Sequence, residues 1–156
     1  MRQILWQREV SADRWRYPGE AGAGPVVQTL AELLADSGAA AGDAMVGVRL
    51  GPTDEVALLA PLLARVALVV VQFEPSGDGR GYSQGQLLRQ RYGYTGELRA
   101  SGAIRRDYLF LLARCGFDSF EFAAGEDPHA ALAHLERYSV AYQSASGKLV
   151  QPRLRA

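Results

Sequence analysis

Seven residues, Ala67–Phe73 (ALVVVQF), form an apolar, β-branched run with almost no polar alternation. Such a run suits a strand buried on both faces, as in a parallel sheet covered by helices. The surrounding chain repeats the theme. Ala44–Leu50 is a short β-type run ending at Gly51-Pro52, and Thr53-Asp54-Glu55 reads as an N-cap with acids in the first turn of a helix reaching about Arg65, with Pro61 kinking or shortening it. Ser83 and Gln86 fit a capping box for a helix to about Tyr92, closed by Gly93. Glu97–Ser101 is read as a strand, and Arg105–Cys115 as a helix stopped by Gly116 with Tyr108, Leu111, Leu112 and Cys115 on one face. Phe117–Phe122 is read as the last strand, and Asp127-Pro128 as the cap and first position of a helix to about Arg137.

Strands alternating with helices imply βαβ units, hence an α/β fold with a parallel sheet of about four to five strands, either doubly wound or a half-barrel. Upstream, Val26, Val27, Leu30, Leu33 and Leu34 recur at helical spacing, with Gly38 placed to stop that helix. A small N-terminal hairpin is expected from strands at Ile4–Arg8 and Arg14–Tyr17, a turn at Ser11–Asp13, and Trp6 and Trp15 as cross-strand neighbours. The expected organisation is one domain over residues 1–143 and a polar, flexible tail over 144–156.

Both topologies bring the loops that follow the strands to one edge, where ligands sit in such folds. That edge would collect Gly51–Thr53, Glu74–Ser83, Ser101–Arg106 and Ala123–Asp127. Charge is concentrated there too. The chain is formally neutral, but residues 78–116 hold seven arginines against three acids. A neutral chain lacks the broad positive footprint of a general nucleic-acid binder, and no apolar run approaches the ~20 residues of a membrane span. The N-terminus carries no signal-peptide h-region, so the expected location is cytoplasmic.

Glycine-rich loops opening into helices leave backbone N–H groups pointing outward, the physical basis of anion binding. Gly77-Asp78-Gly79-Arg80-Gly81-Tyr82-Ser83 is such a loop, although Tyr82 stands where a dinucleotide fingerprint has its third glycine, and no nucleotide P-loop motif occurs. Its alternative is a tight turn with an Asp78–Arg80 ion pair. Ser101-Gly102-Ala103-Ile104-Arg105-Arg106-Asp107 is a second strand-to-helix turn, similar to phosphate-gripping loops of βα-barrels. Two adjacent arginines near a helix start are unfavourable unless they meet an anion or an acidic partner. The candidate anion or partner site is therefore Asp78, Arg80, Tyr82, Ser83, Ser101, Arg105 and Arg106. Tyr82, Tyr92 and Tyr94 are read as packing, with stacking on a ligand as the alternative.

No catalytic triad or carboxylate pair can be drawn. The single cysteine, Cys115, excludes an internal disulfide and a thiolate zinc site, and reads as a small buried hydrophobe. His129 and His134, five apart, lie on different sides of a helix and offer no metal pair. No haem-attachment, iron–sulfur or flavin motif occurs, so no cofactor is evident.

The string DGRGYSQGQLLRQRYGYTGELRASGAIRRDYLFLLARCGFDSFEF, with SVAYQ further on, resembles a bacterial family known as domain of unknown function 934. The family usually has an aromatic residue where this chain has Ser76. The resemblance implies a cytoplasmic protein encoded beside the sulfite reductase hemoprotein, and possible service as an oxidoreductase component of sulfite reduction. It assigns no catalytic residues. Two readings follow. One is an accessory or binding protein of assimilatory sulfite reduction that docks on the reductase hemoprotein or delivers a small oxyanion. The other is an independent enzyme acting on a small phosphorylated or sulfated metabolite. Open sheet edges would suit a homodimer.

Overall fold

The computed structural model describes residues 2–36, 45–76 and 79–141 of the 156-residue chain, with side chains up to residue 137. The expectations that fall on Gly38, Asp78 and residues 144–156 lie outside the described residues. Among those described, seven strands form one mixed sheet: β1 (Gln3–Trp6), β2 (Glu9–Ala12), β3 (Val27–Thr29), β4 (Val46–Leu50), β5 (Val66–Phe73), β6 (Glu97–Gly102) and β7 (Ser119–Phe120). Their order is β2-β1-β7-β6-β5-β4-β3. The strands β3 to β7 are parallel, and the hairpin β1–β2 adds antiparallel to β7. Consecutive parallel strands are neighbours throughout, without the reversal of order that marks a doubly wound sheet.

The helices are α1 (Leu30–Ala35), α2 (Val56–Leu59), α3 (Arg80–Gln86), α4 (Leu109–Arg114) and α5 (Pro128–Ala141). Their buried residues Leu30, Leu33, Leu59, Leu109, Leu112 and Leu135, with Leu88 just after α3, join Val48, Leu50, Val69, Val71, Leu98 and Ala100 of the sheet in one cluster. The alternate strand residues face the other way, where Trp15, Val27, Leu68 and Val70 form a separate cluster. One sheet face is thus covered by helices. The other carries the segment that follows the hairpin. The hairpin sits beside β7 and β3 lies at the opposite margin, so the chain between them has to run across the helix-free face. Trp15 lies flat against β4, where a Cβ on Gly47 would meet its ring at 2.8 Å, and Arg16 then bridges to Val26.

Several local expectations are corrected. The hairpin turns at Gln7 and Arg8, both with positive φ (49° and 65°), and not at Ser11–Asp13. A two-residue turn with both central residues left-handed matches strand twist, but its usual mark is Asn-Gly, not Gln-Arg. Arg14–Tyr17 is therefore no hairpin strand, and Trp6 faces Glu9 rather than Trp15. The two indoles are linked instead by the Arg14 guanidinium, 5.4 Å and 5.8 Å from their ring centroids. Val27 belongs to β3, because Thr29 and Glu32 form a reciprocal capping box that starts α1 only at Leu30.

Asp54 does not cap α2; its carboxylate accepts from the Gly51 N–H at 2.7 Å. Beyond Ala60, Pro61 cannot donate and the helix tightens into a 3-10 segment to Arg65. Helix α3 starts at Arg80 after Gly79, which leaves Ser83 inside it, and continues as a π-helical stretch, Leu87–Arg91. Arg105–Cys115 splits into a 3-10 turn, Arg106–Tyr108, and α4. Its buried face is Leu109 and Leu112; Tyr108 and Leu111 are about half exposed (49% and 47%). A segment apolar on all sides leaves its phase to be decided by tertiary packing. Cys115 is buried, as its apolar setting implies, and burial pushes its thiol up. No helix among the described residues is long and apolar enough to cross a membrane.

Candidate functional site

The polar row at the strand ends

Register places Gln72 of β5 beside Ser101 of β6. The pairing of Arg99 with Ser119 puts Glu121, just beyond β7, in the next position, and its N–H still bonds to Ala100 O at 2.9 Å. Amide, hydroxyl and carboxylate thus stand side by side on three adjacent strands, about 4.8 Å apart, on the helix-free face. They line an open cleft of about 450 Å³ with Phe73, Glu74, Pro75, Phe122 and the backbone of Gly102. The cleft sits at the C-terminal ends of parallel strands, the ligand edge of βα folds. Gly102 makes its floor possible: its φ is +93°, and a Cβ would lie 2.4 Å from Phe73 O and 2.6 Å from the Gln72 amide nitrogen.

Beneath this row lies a buried ionic network. Arg99 is fully buried and donates to Asp13 through two parallel bonds (Nη1 to Oδ2 2.8 Å, Nη2 to Oδ1 3.0 Å) and to Glu97 at 2.8 Å. Ser119 donates to the same Glu97 at 2.7 Å. Burial pushes the Asp13 carboxyl up, but the Arg99 bonds and charge outweigh it and hold the group below its ordinary range. Arg2 bonds to Asp13 and Glu20 and reaches Glu121 at 3.5 Å. Tyr17 donates its hydroxyl to Glu121 at 2.5 Å, and burial, reinforced by that carboxylate, keeps the phenol protonated well above its usual range. Glu121 is thereby held in place from below while it lines the cleft above.

Ser101 is the predicted site residue that this cleft contains. The residue is only 8% exposed, and its hydroxyl has no hydrogen-bond partner among the described residues. Arg80 and Ser83 line a different cleft of about 360 Å³ between α2 and α3, shared with Gln84, Leu87, Arg91 and Tyr92. There the Gln84 amide donates to Gly51 O and Asp54 O at 2.9 Å and 3.0 Å. Tyr82 is half-buried and packs edge-on against Phe73, centroids 5.2 Å apart. Burial, with Tyr108 and Cys115 close by, pushes its phenol up. Arg105 and Arg106 are exposed at the turn before α4. The expected set therefore divides among one cleft at the sheet edge (Ser101), one between helices (Arg80 and Ser83), an exposed turn (Arg105 and Arg106) and packing against Phe73 (Tyr82), while Asp78 lies outside the described residues.

Gln72, Glu121, Arg99, Asp13 and Tyr17 escaped the sequence reading. The alternation of Glu97, Arg99 and Ser101 with Leu98 and Ala100 does mark a strand with one polar face. Nothing local shows that this face is covered, because its cover comes from residues 13–17. None of the curated proteins compared with the chain matches it. A family model described as "Bacterial protein of unknown function (DUF934)" matches residues 47–152, and the chain belongs to that family.

Proposed function

We propose that this protein is an accessory, partner-binding component of assimilatory sulfite reduction, working in the cytoplasm and docking through an arginine-bearing surface at the starts of α3 and α4. The observation that carries the reading is the grouping of exposed Arg105 and Arg106 with half-exposed Tyr108 and Leu111, next to the α3 start that bears Arg80 and Tyr82. Arginine and tyrosine beside an aliphatic side chain are the residue types that anchor protein interfaces. The partner to try first is the sulfite reductase hemoprotein, whose association the family resemblance implies. The test is titration of the purified hemoprotein into the purified protein at low and high salt. A complex that weakens with salt and is lost in Arg105→Glu/Arg106→Glu supports docking, and absence of a complex at low salt overturns it.

A second reading, an enzyme acting on a small phosphorylated or sulfated metabolite, draws on the α2–α3 cleft, where Arg80, Arg91 and Ser83 line one space. For that reading Arg80→Ala has to weaken binding of such a metabolite, and unchanged binding removes it.

A further inference from the structure

We infer that the cleft at the ends of β5, β6 and β7 is a binding site for a small organic amine, held by its ammonium group on Glu121 and Ser101. This goes beyond docking and involves a different part of the molecule. Three observations carry it. First, Ser101 is more than nine-tenths buried, lines the cleft and has no partner for its hydroxyl among the described residues. Its hydroxyl is not sealed off from the cleft, so it can bond a molecule held there.

Second, Glu121 is a built feature, fixed by Tyr17 and Arg2 from the protein side, and a carboxylate has about four acceptor positions, so acceptor capacity remains for a ligand. Third, the polar wall of the cleft is acidic: the Glu121 carboxylate lies on it beside the Ser101 hydroxyl. Glu74 adds a second carboxylate, and no basic side chain among the described residues lines the cleft. A ligand bringing one positive charge and N–H donors complements these carboxylates and the hydroxyl beside them. The apolar remainder of the wall, Phe73, Pro75 and Phe122, suits a carbon skeleton, and about 450 Å³ is in the range of metabolite sites.

The test is titration of ¹⁵N-labelled protein with tyramine and with 1,4-diaminobutane, followed by amide resonances, with 4-ethylphenol and butane-1,4-diol as uncharged counterparts. The expected result is saturable movement at Ser101, Gly102 and Ala123 below about 10 mM of at least one amine, and little from its counterpart. Glu121→Gln should weaken that binding roughly tenfold or more and Ser101→Ala roughly fivefold, both with native peak dispersion. If Glu121→Gln does not fold, Ser101→Ala decides alone. Absence of movement with both amines, equal movement with the uncharged counterparts, or unchanged affinity in the folded variants overturns the inference.

Discussion

Arg99 and Asp13 are paired by two parallel hydrogen bonds across 86 residues of chain, with both side chains sealed from solvent. The pair joins the middle of the sheet to the segment that crosses it. Removing one member of such a pair leaves the other charge buried without its main partner. Asp13→Ala is expected to lower unfolding free energy in urea by about 3–5 kcal/mol at pH 7. A loss below about 1 kcal/mol would show that Glu97 alone satisfies Arg99.

Asp118 behaves in the opposite sense. Its carboxylate accepts from Leu98 N–H at 2.8 Å with Arg89 at 3.4 Å, yet burial dominates and its pKa is pushed up to about 6 from an ordinary 3.8. The folded state then binds the proton more tightly than the unfolded one. The stabilisation is complete below 3.8 and is lost as pH rises through about 6, a change of up to about 3 kcal/mol. Asp118→Asn keeps the Leu98 bond without titrating. Its stability relative to the parent should therefore rise between pH 4 and pH 7, and parallel pH curves for the two proteins would contradict this.

Gly85 marks where α3 meets the sheet layer. A Cβ there would lie 2.4 Å from the Phe117 ring, whereas at Gly79 nothing among the described residues comes within 4 Å. Gly85→Ala should cost about 1–3 kcal/mol by overpacking, and Gly79→Ala should stay within about 0.5 kcal/mol. Thermal denaturation of both variants checks the contrast, which fails if the two melt together.

Arginines of the basic stretch should separate by role. Arg89 donates to the carbonyls of Gly116, Tyr94 and Gly96, at 2.8, 2.8 and 2.9 Å, and so ties the end of the α3 region to the starts of two strands. Arg89→Ala should lower the melting temperature by several degrees, because three part-buried acceptors lose charged donors. Arg105→Ala/Arg106→Ala should leave melting unchanged and weaken only partner binding. Equal destabilisation in the two variants would refute the division.

These differences show what could be read from the chain. The strand at Val66–Phe73 was legible because an unbroken β-branched run has one stable environment. Asp127-Pro128 was equally legible: Asp127 accepts the His129 N–H at 2.9 Å at the start of α5. Thr29 and Glu32 carried a readable cap that the apolar Val26 and Val27 obscured by mimicking helical spacing. The basic stretch misled for another reason. Composition counts Arg89 and Arg99 with Arg105, but the first two are internal ties and only the last is exposed. The polar row was illegible as a unit, because Gln72, Ser101 and Glu121 become neighbours only through sheet register.

The segment crossing the helix-free face also sets an order of events for the growing chain. The hairpin emerges from the ribosome before every other described element, yet it joins the rest of the sheet only through β7, and Asp13 can meet Arg99 only after β6 exists. Contacts of such long sequence separation form late and slow folding. Trp15 can settle on β4 once β3 to β5 are made, but until β7 exists the hairpin has no sheet edge to join, and its apolar surface stays exposed during translation. The part synthesised first is the part that closes the structure last.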